Sequence, residues 1–396
     1  MVSQKMLELG RHRSVIRDIF EYGIRRKAQI GPENVFDFSL GNPSVPAPPV
    51  VTETLRDLLA ETPAEVLHAY TSAAGDPAVR EAIAAYIRDT HGFAAQSRHI
   101  YMTAGAAASL TVTLNALVEE GDEVIAIAPF FPEYRVFAEK AGAGFVVVRS
   151  AEGSFQIDPE ALSAAINEHT KAVIVNSPNN PTGVVLTEES IKALCAVLEE
   201  KSALYGRPIF LVSDEPYREL VYGDTAVPYI PLYYKNTVVC YSFSKSLSLP
   251  GERIGYILVS SEAEDADMLF DAVCGAGRAL GFVCAPSIFQ QLVKHCLGVT
   301  ADLGVYDTNR KLLYDALTEY GFEAVYPDGA FYLFVKAPEG DANAFCEKAK
   351  EFELLLVPAD SFGYPGYVRI AYCVTTDQVR RSLPAFRRLA DLYAGG

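Results

Sequence analysis

The chain has 396 residues, half of them apolar, which suffices for two or three domains around a large core. A net charge of −16 disfavours polyanionic partners such as nucleic acid or an anionic membrane face. The 7 scattered cysteines lack a C-x-x-C pair and the 6 histidines lack an H-E-x-x-H pattern; with no basic-then-apolar opening and no bilayer-length apolar run, we expect a reduced, metal-free cytoplasmic protein.

Residues 1–48 open with a helical pattern and continue into "NVFDFSLGNPSVPAPP", whose prolines predict an extended linker. Seven short apolar runs follow, at 99–105, 123–129, 144–150, 172–178, 209–216, 237–245 and 254–260. Several are almost continuously apolar, as expected of strands covered on both faces. The spacers carry helical periodicity, at 163–170 and 187–206 for example, so the reading is an α/β domain with a mostly parallel seven-stranded sheet between helices. Beyond residue 286 come two helical stretches, strand signals in "GAFYLFVKAP", "FELLLVPA" and "YVRIAYCV", and a closing helix interrupted at Pro384. We therefore expect a large domain over 49–285 and a smaller α+β domain built from 1–48 together with 286–396.

Polar clusters fall at the carboxyl ends of the runs, where open α/β sheets bind ligands. "TAGAAASL" places Gly105 at a strand-to-helix turn, where small residues let backbone amides approach an anion. Phe131 in "PFFPEY" could stack on an aromatic ring. Asn180 in "SPNNPTG" precedes a proline and could turn its amide toward a ring hydroxyl. Asp214 in "SDEPY" ends an apolar strand, where a carboxylate needs a cationic partner, and Tyr217 follows three residues on. In "YSFSKSLSLPGERIGY", Lys245 has the setting of an amine that forms an imine with an aldehyde. Ser242 and Ser244, read as sharing one strand face, and Arg253, eight residues past the lysine, suit phosphate oxygens. Arg369 in "VRIAY" is a mid-strand charge whose fork would match a buried carboxylate. Each feature alone has an ordinary reading as a turn, a cap, a core aromatic or a solvated charge.

Together, in order and spacing over nearly the whole chain, these motifs, with "FSLGNPS" and "AYTSAAGDPAVREAIAAY", resemble the fold-type I pyridoxal-phosphate aminotransferases of class I/II, the aspartate-aminotransferase-like group. The resemblance implies that Lys245 is the Schiff-base lysine and proton carrier and that Asp214 is the partner of the cofactor's ring nitrogen. It implies that Tyr217 and Asn180 bond the ring oxygen, and that Phe131 stacks on the ring where many members have Trp or Tyr. Gly105, Ala106 and Ala107 match the phosphate loop, with Ser242 and Arg253 as side-chain ligands. Tyr70 resembles the tyrosine that reaches the neighbouring subunit's phosphate, so a homodimer with shared active sites is expected. Gly41 and Arg369, with Asn180, match the receivers of the substrate carboxylate.

The expected activity is ping-pong transfer of an amino group from an L-amino acid to a 2-oxo acid. Aspartate, alanine and aromatic amino acids stay open as substrates. The phosphate loop carries no lysine for a distal carboxylate, and Arg278, in "GAGRALGFVCAP", is a candidate for that role beside its ordinary reading as a surface or interface arginine. The alternative on the same scaffold is a C–S β-lyase. An aminotransferase-like module of a DNA-binding regulator is disfavoured by the acidic balance and by the roughly 40 residues before "FSLGNPS".

Overall fold

A computed structural model describes residues 2–11 and 15–394. Its strands are β1 (Phe36–Asp37), β2 (Ile100–Thr103), β3 (Glu123–Ala128), β4 (Gly144–Arg149), β5 (Thr170–Asn176), β6 (Phe210–Asp214), β7 (Thr237–Ser242), β8 (Gly255–Val259), β9 (Ala324–Val325), β10 (Tyr332–Lys336), β11 (Leu354–Leu355), β12 (Val357–Pro358) and β13 (Tyr367–Ala371). The helices used below are α1 (Val15–Ile30), α2 (Ala106–Leu117), α3 (Glu133–Ala141), α4 (Glu188–Tyr205), α5 (Phe243–Ser246), α6 (Ala266–Leu280), α7 (Gly304–Glu319) and α8 (Thr376–Ala394).

The seven apolar runs form one sheet in the order β2-β8-β7-β6-β5-β3-β4. All are parallel except β8, which is antiparallel to both neighbours. Alternation along each strand divides its apolar residues between two cores. Val124 and Ala126 pack with Leu110 and Leu114 of α2, whereas Ile125 packs with Leu194 and Leu198 of α4 on the other face. A second sheet, β12-β13-β10-β9, is antiparallel, and a short parallel pair joins β1 to β11.

Caps account for the helix bounds. Thr187 accepts from the Ser190 amide at 3.1 Å to start α4, and Gly206 ends it in the left-handed region. The helical stretch expected over 163–170 lies earlier, at Pro159–Ala165, because Asp158 caps it by accepting from the amides of Glu160 and Ala161 and Pro159 takes its first position. Pro384 does not interrupt α8, which runs through it. The lost bond falls on the carbonyl of exposed Arg380, while Val379, Ala385, Phe386 and Leu389 bury one apolar face. Among the described residues, no helix is long and apolar enough to cross a membrane.

Candidate active site

The carboxyl ends of β2, β5, β6 and β7 meet at one edge of the large sheet, where Asn176 pairs with Asp214 and Ser242 with Gly255. Because β8 runs the other way, its starting end lies at that same edge. Arg253, just before β8, thereby joins the strand-end residues although it follows Lys245 in sequence by a turn. Over this edge lies a cavity of about 530 Å³. It is lined by Gly41, Ala106, Ala107, Phe131, Asn180, Asp214, Tyr217, Ser242, Lys245, Arg253 and Arg369, all of them anticipated from the sequence. Gly105 caps the start of α2 beside it.

Lys245 sits in the single turn of α5, and its Nζ donates to the Gly41 carbonyl at 2.7 Å. Burial lowers its pKa to about 8, with Arg253 and Arg369 pushing the same way and Cys373 opposing. The expected strand continuation to Lys245 is corrected here: β7 ends at Ser242, whose Oγ accepts from the Ser244 amide at 3.2 Å and turns the chain into α5. Ser242 and Ser244 therefore do not share a strand face, yet their hydroxyl oxygens lie 2.8 Å apart because the cap curls one over the other.

Asp214 is buried at the end of β6. Its Oδ2 accepts from the Tyr134 hydroxyl at 2.5 Å, while buried Oδ1 has no partner among the described residues. Burial raises this carboxyl to about 7, against the lowering effect of the Tyr134 bond. Asn176 fastens the surrounding backbone: its amide donates to the Asp214 carbonyl at 2.8 Å and its Oδ1 accepts from the Asn180 amide at 2.7 Å. Asn180 is joined to Pro181 by a cis peptide.

At the anion end, Gly105 has φ +86°, and an added Cβ would lie 2.7 Å from an Arg253 guanidinium nitrogen. Arg253 donates to Ser244 Oγ at 3.3 Å and to the Pro250 carbonyl at 3.0 Å. Opposite, Arg369 lies within β13 at 2% exposure. It donates to Asn180 Oδ1 at 3.1 Å and to the Ser39 carbonyl at 2.5 Å, leaving buried Nε without a partner among the described residues. Its guanidinium stacks 4.7 Å from the Tyr332 ring. Tyr332 in turn shares a 2.8 Å hydrogen bond with Tyr217.

Two anticipated residues lie elsewhere. Tyr70 is 94% exposed and borders a separate groove, and Arg278 is exposed at the end of α6. Sequence reasoning passed over Tyr134, Asn176 and Tyr332. Tyr134 closes the quoted "PFFPEY" three residues after Phe131, one helical turn away, which is the signal that could have found it.

The family model for aminotransferase class I and II matches residues 33–386. The chain is 32% identical to an aspartate aminotransferase of Geobacillus stearothermophilus, covering 82% of this chain and 84% of the relative. It is 29% identical to an aspartate aminotransferase of Pyrococcus horikoshii, covering 97% and 95% respectively. The crystal structure of an amino transferase from Eubacterium rectale superimposes with a TM-score of 0.97 at 54% identity, over 99% of each chain. The chain belongs to the class I and II aminotransferases and is a pyridoxal-phosphate-dependent enzyme of fold type I.

Proposed function

We propose that this aminotransferase works by a ping-pong exchange between an L-amino acid and a 2-oxo acid, of the aspartate-aminotransferase type, with Lys245 as the residue that holds the cofactor covalently. The observation that carries the reading is one cavity holding both a buried lysine with a depressed pKa and a buried carboxyl with an unpartnered oxygen. Residues fit the cofactor at each end. Asp214 Oδ1 offers a buried acceptor to a cationic ring nitrogen, and the Gly105 turn, Ser242 and Arg253 offer donors to a phosphate.

Bound there, pyridoxal phosphate supplies an aldehyde for amines and an electron sink for charge left at the substrate Cα. The Asp214 carboxylate would hold the ring nitrogen and so preserve the positive charge there. Tyr217 and Asn180 would bond the ring oxygen, Phe131 would stack on the ring, and Ala106 and Ala107, small residues in the first turn of α2, would leave room for the phosphate. Arg369, with Gly41 and Asn180, fixes the substrate α-carboxylate and thereby the direction of the Cα–H bond. Lys245 Nζ is the base that would take the proton from the substrate Cα and hold it as an ammonium within the cavity.

The wider reading keeps residues 49–285 as the cofactor-holding body and 1–48 with 286–396 as the substrate-closing one. It also takes the enzyme to be a cytoplasmic homodimer in which exposed Tyr70 serves the partner's site. The relatives named above are aminotransferases, which leaves the β-lyase alternative unfavoured. The test is to add single amino acids to the cofactor-loaded protein and follow its absorption. Conversion of the lysine-bound band to that of the aminated cofactor, reversed by a 2-oxo acid, is the expected result. Accumulation of pyruvate and ammonia with an unchanged band would overturn it in favour of the lyase.

A further inference from the structure

α5, which carries Lys245, is four residues long, and a single helical turn does not hold itself. Its closing backbone bonds are long: the Leu247 amide donates to the Phe243 carbonyl at 3.3 Å and the Ser248 amide to the Lys245 carbonyl at 3.4 Å. Side chains tie it at both ends. Ser242 caps its start, and the last residue, buried Ser246, has its Oγ 3.1 Å from the Tyr241 hydroxyl. Tyr241 and Ser242 are successive residues of β7 and point to opposite faces. Ser242 lines the active-site cavity, whereas Tyr241 packs with Ile83 and Val239 in a separate core and stacks on Tyr256 at 4.9 Å. The Tyr241 hydroxyl also lies 2.9 Å from Glu219 Oε1. A tyrosine hydroxyl has one proton. Donated to the carboxyl oxygen, the closer of the two, it leaves the tyrosine oxygen to accept from Ser246, so the bonds run from Ser246 to Tyr241 to Glu219.

Glu219 sits in the turn 216–219 that follows β6 and brings Tyr217 to the active-site cavity. Buried contacts fix that turn. Glu215 accepts from the Ser213 hydroxyl at 2.8 Å and from Arg218 Nε at 2.5 Å, and Arg218 also donates to the carbonyls of Val227 and Pro228 at 3.2 Å each. Arg218 is thus engaged away from Glu219, whose buried Oε2 has no partner among the described residues. The other titratable groups facing Glu219 are Tyr241 and Tyr256 of the sheet, Tyr86 of the helix Pro77–His91, and Cys296, with Glu215 and Arg218 on its own turn. A buried, half-partnered carboxyl costs stability where an apolar side chain would not. Such costs gather at functional sites. The group this one reaches, by two hydrogen bonds, is the residue next to Lys245.

We infer that Glu219 is a positioning residue for Lys245: through Tyr241 and Ser246 it holds the turn that aims Nζ into the active-site cavity. This rests on the reading of Lys245 as the lysine that holds the cofactor. The test labels cofactor-free protein with a limiting amount of an amine reagent at varied pH and follows the Lys245 peptide by mass spectrometry. The wild type should label with a midpoint of about 8. Tyr241→Phe and Glu219→Met cut the chain of bonds without opening a void. Each should raise the midpoint by about 0.5–1 pH unit as the loosened turn admits water to the amine. Glu219→Gln keeps an oxygen acceptor for Tyr241 and should stay with the wild type. The double variant Tyr241→Phe with Glu219→Met should shift no further than either single one. In the cofactor-loaded enzyme the two single variants should lower kcat by about tenfold to a hundredfold and leave KM within about twofold. Tyr241→Phe removes one oxygen and decides alone should Glu219→Met not fold. An unmoved midpoint in Tyr241→Phe, additive shifts in the double variant, or a downward shift, the sign of lost charge acting through space, would overturn the assignment. Borohydride reduction of the loaded wild type separates the two levels. Cofactor fixed on Lys245 with unmoved midpoints removes only the role of Glu219, whereas cofactor fixed elsewhere removes the reading of Lys245 itself.

Discussion

Tyr134 donates a 2.5 Å hydrogen bond to one oxygen of Asp214 and leaves the other oxygen of that buried carboxyl with no partner. A carboxyl so placed is costly to ionise until a cation arrives, which is why burial holds it near 7 in place of the usual 3.8. The folded cofactor-free protein therefore binds a proton that the unfolded chain has already released across that window. Stability from this group is complete below about pH 4 and is lost as pH rises through 7, by an amount on the order of 4 kcal/mol. Thermal unfolding of cofactor-free wild type and Asp214→Asn between pH 5 and 8 should show the wild type losing ground to the variant as pH rises. Parallel curves would mean that the carboxyl is already ionised at pH 5.

Lys245 carries the opposite shift, its amine lowered from 10.5 to about 8 by burial and by the two nearby arginines. Only the neutral amine attacks an aldehyde. The rate at which cofactor-free protein takes up pyridoxal phosphate covalently should therefore climb with pH through a midpoint of about 8 and then level off. Stopped-flow absorbance at varied pH measures this, and a midpoint near 10.5 would contradict the buried setting. Lys245→Ala should bind the cofactor without the covalent band.

The central sheet was legible because strands covered on both faces must be apolar almost throughout, as "AVIVN" and "IFLVS" are. The site was legible where polar residues break those runs at their carboxyl ends, as Asp214, Ser242 and Lys245 do. Tyr134, Asn176 and Tyr332 were not, because a buried tyrosine or asparagine that braces a site has the same local pattern as one that fills a core. The direction of β8, which brings Arg253 to the site, is a tertiary fact that no local periodicity carries.

Gly41 gives up space to Tyr332. A Cβ at position 41 would lie 2.1 Å from the Tyr332 hydroxyl oxygen and 2.9 Å from the ring carbon that bears it. Gly41→Ala should therefore push Tyr332 off Tyr217 and off the Arg369 guanidinium, costing about 1–3 kcal/mol of stability and raising KM for amino acids. Adding Tyr332→Phe removes the nearer clash but not the farther one, so the double variant should recover part of the lost stability. Chemical denaturation of the single and double variants measures this, and a double variant no more stable than Gly41→Ala would show that the clash lies elsewhere.

Tyr70 stands 94% exposed outside the cavity of its own chain, an unfavourable place for a large aromatic unless another surface covers it. If it completes the partner's site, Tyr70→Ala homodimers should lose phosphate affinity and activity. Mixing them with inactive Lys245→Ala homodimers should then restore activity, because each mixed dimer has one site with an intact lysine and an intact tyrosine from opposite chains. Random reassortment makes half the dimers mixed, so recovery should approach about a quarter of wild-type activity. A tyrosine serving its own chain would leave no intact site in any mixed dimer, and the mixture would then show no gain over its two components.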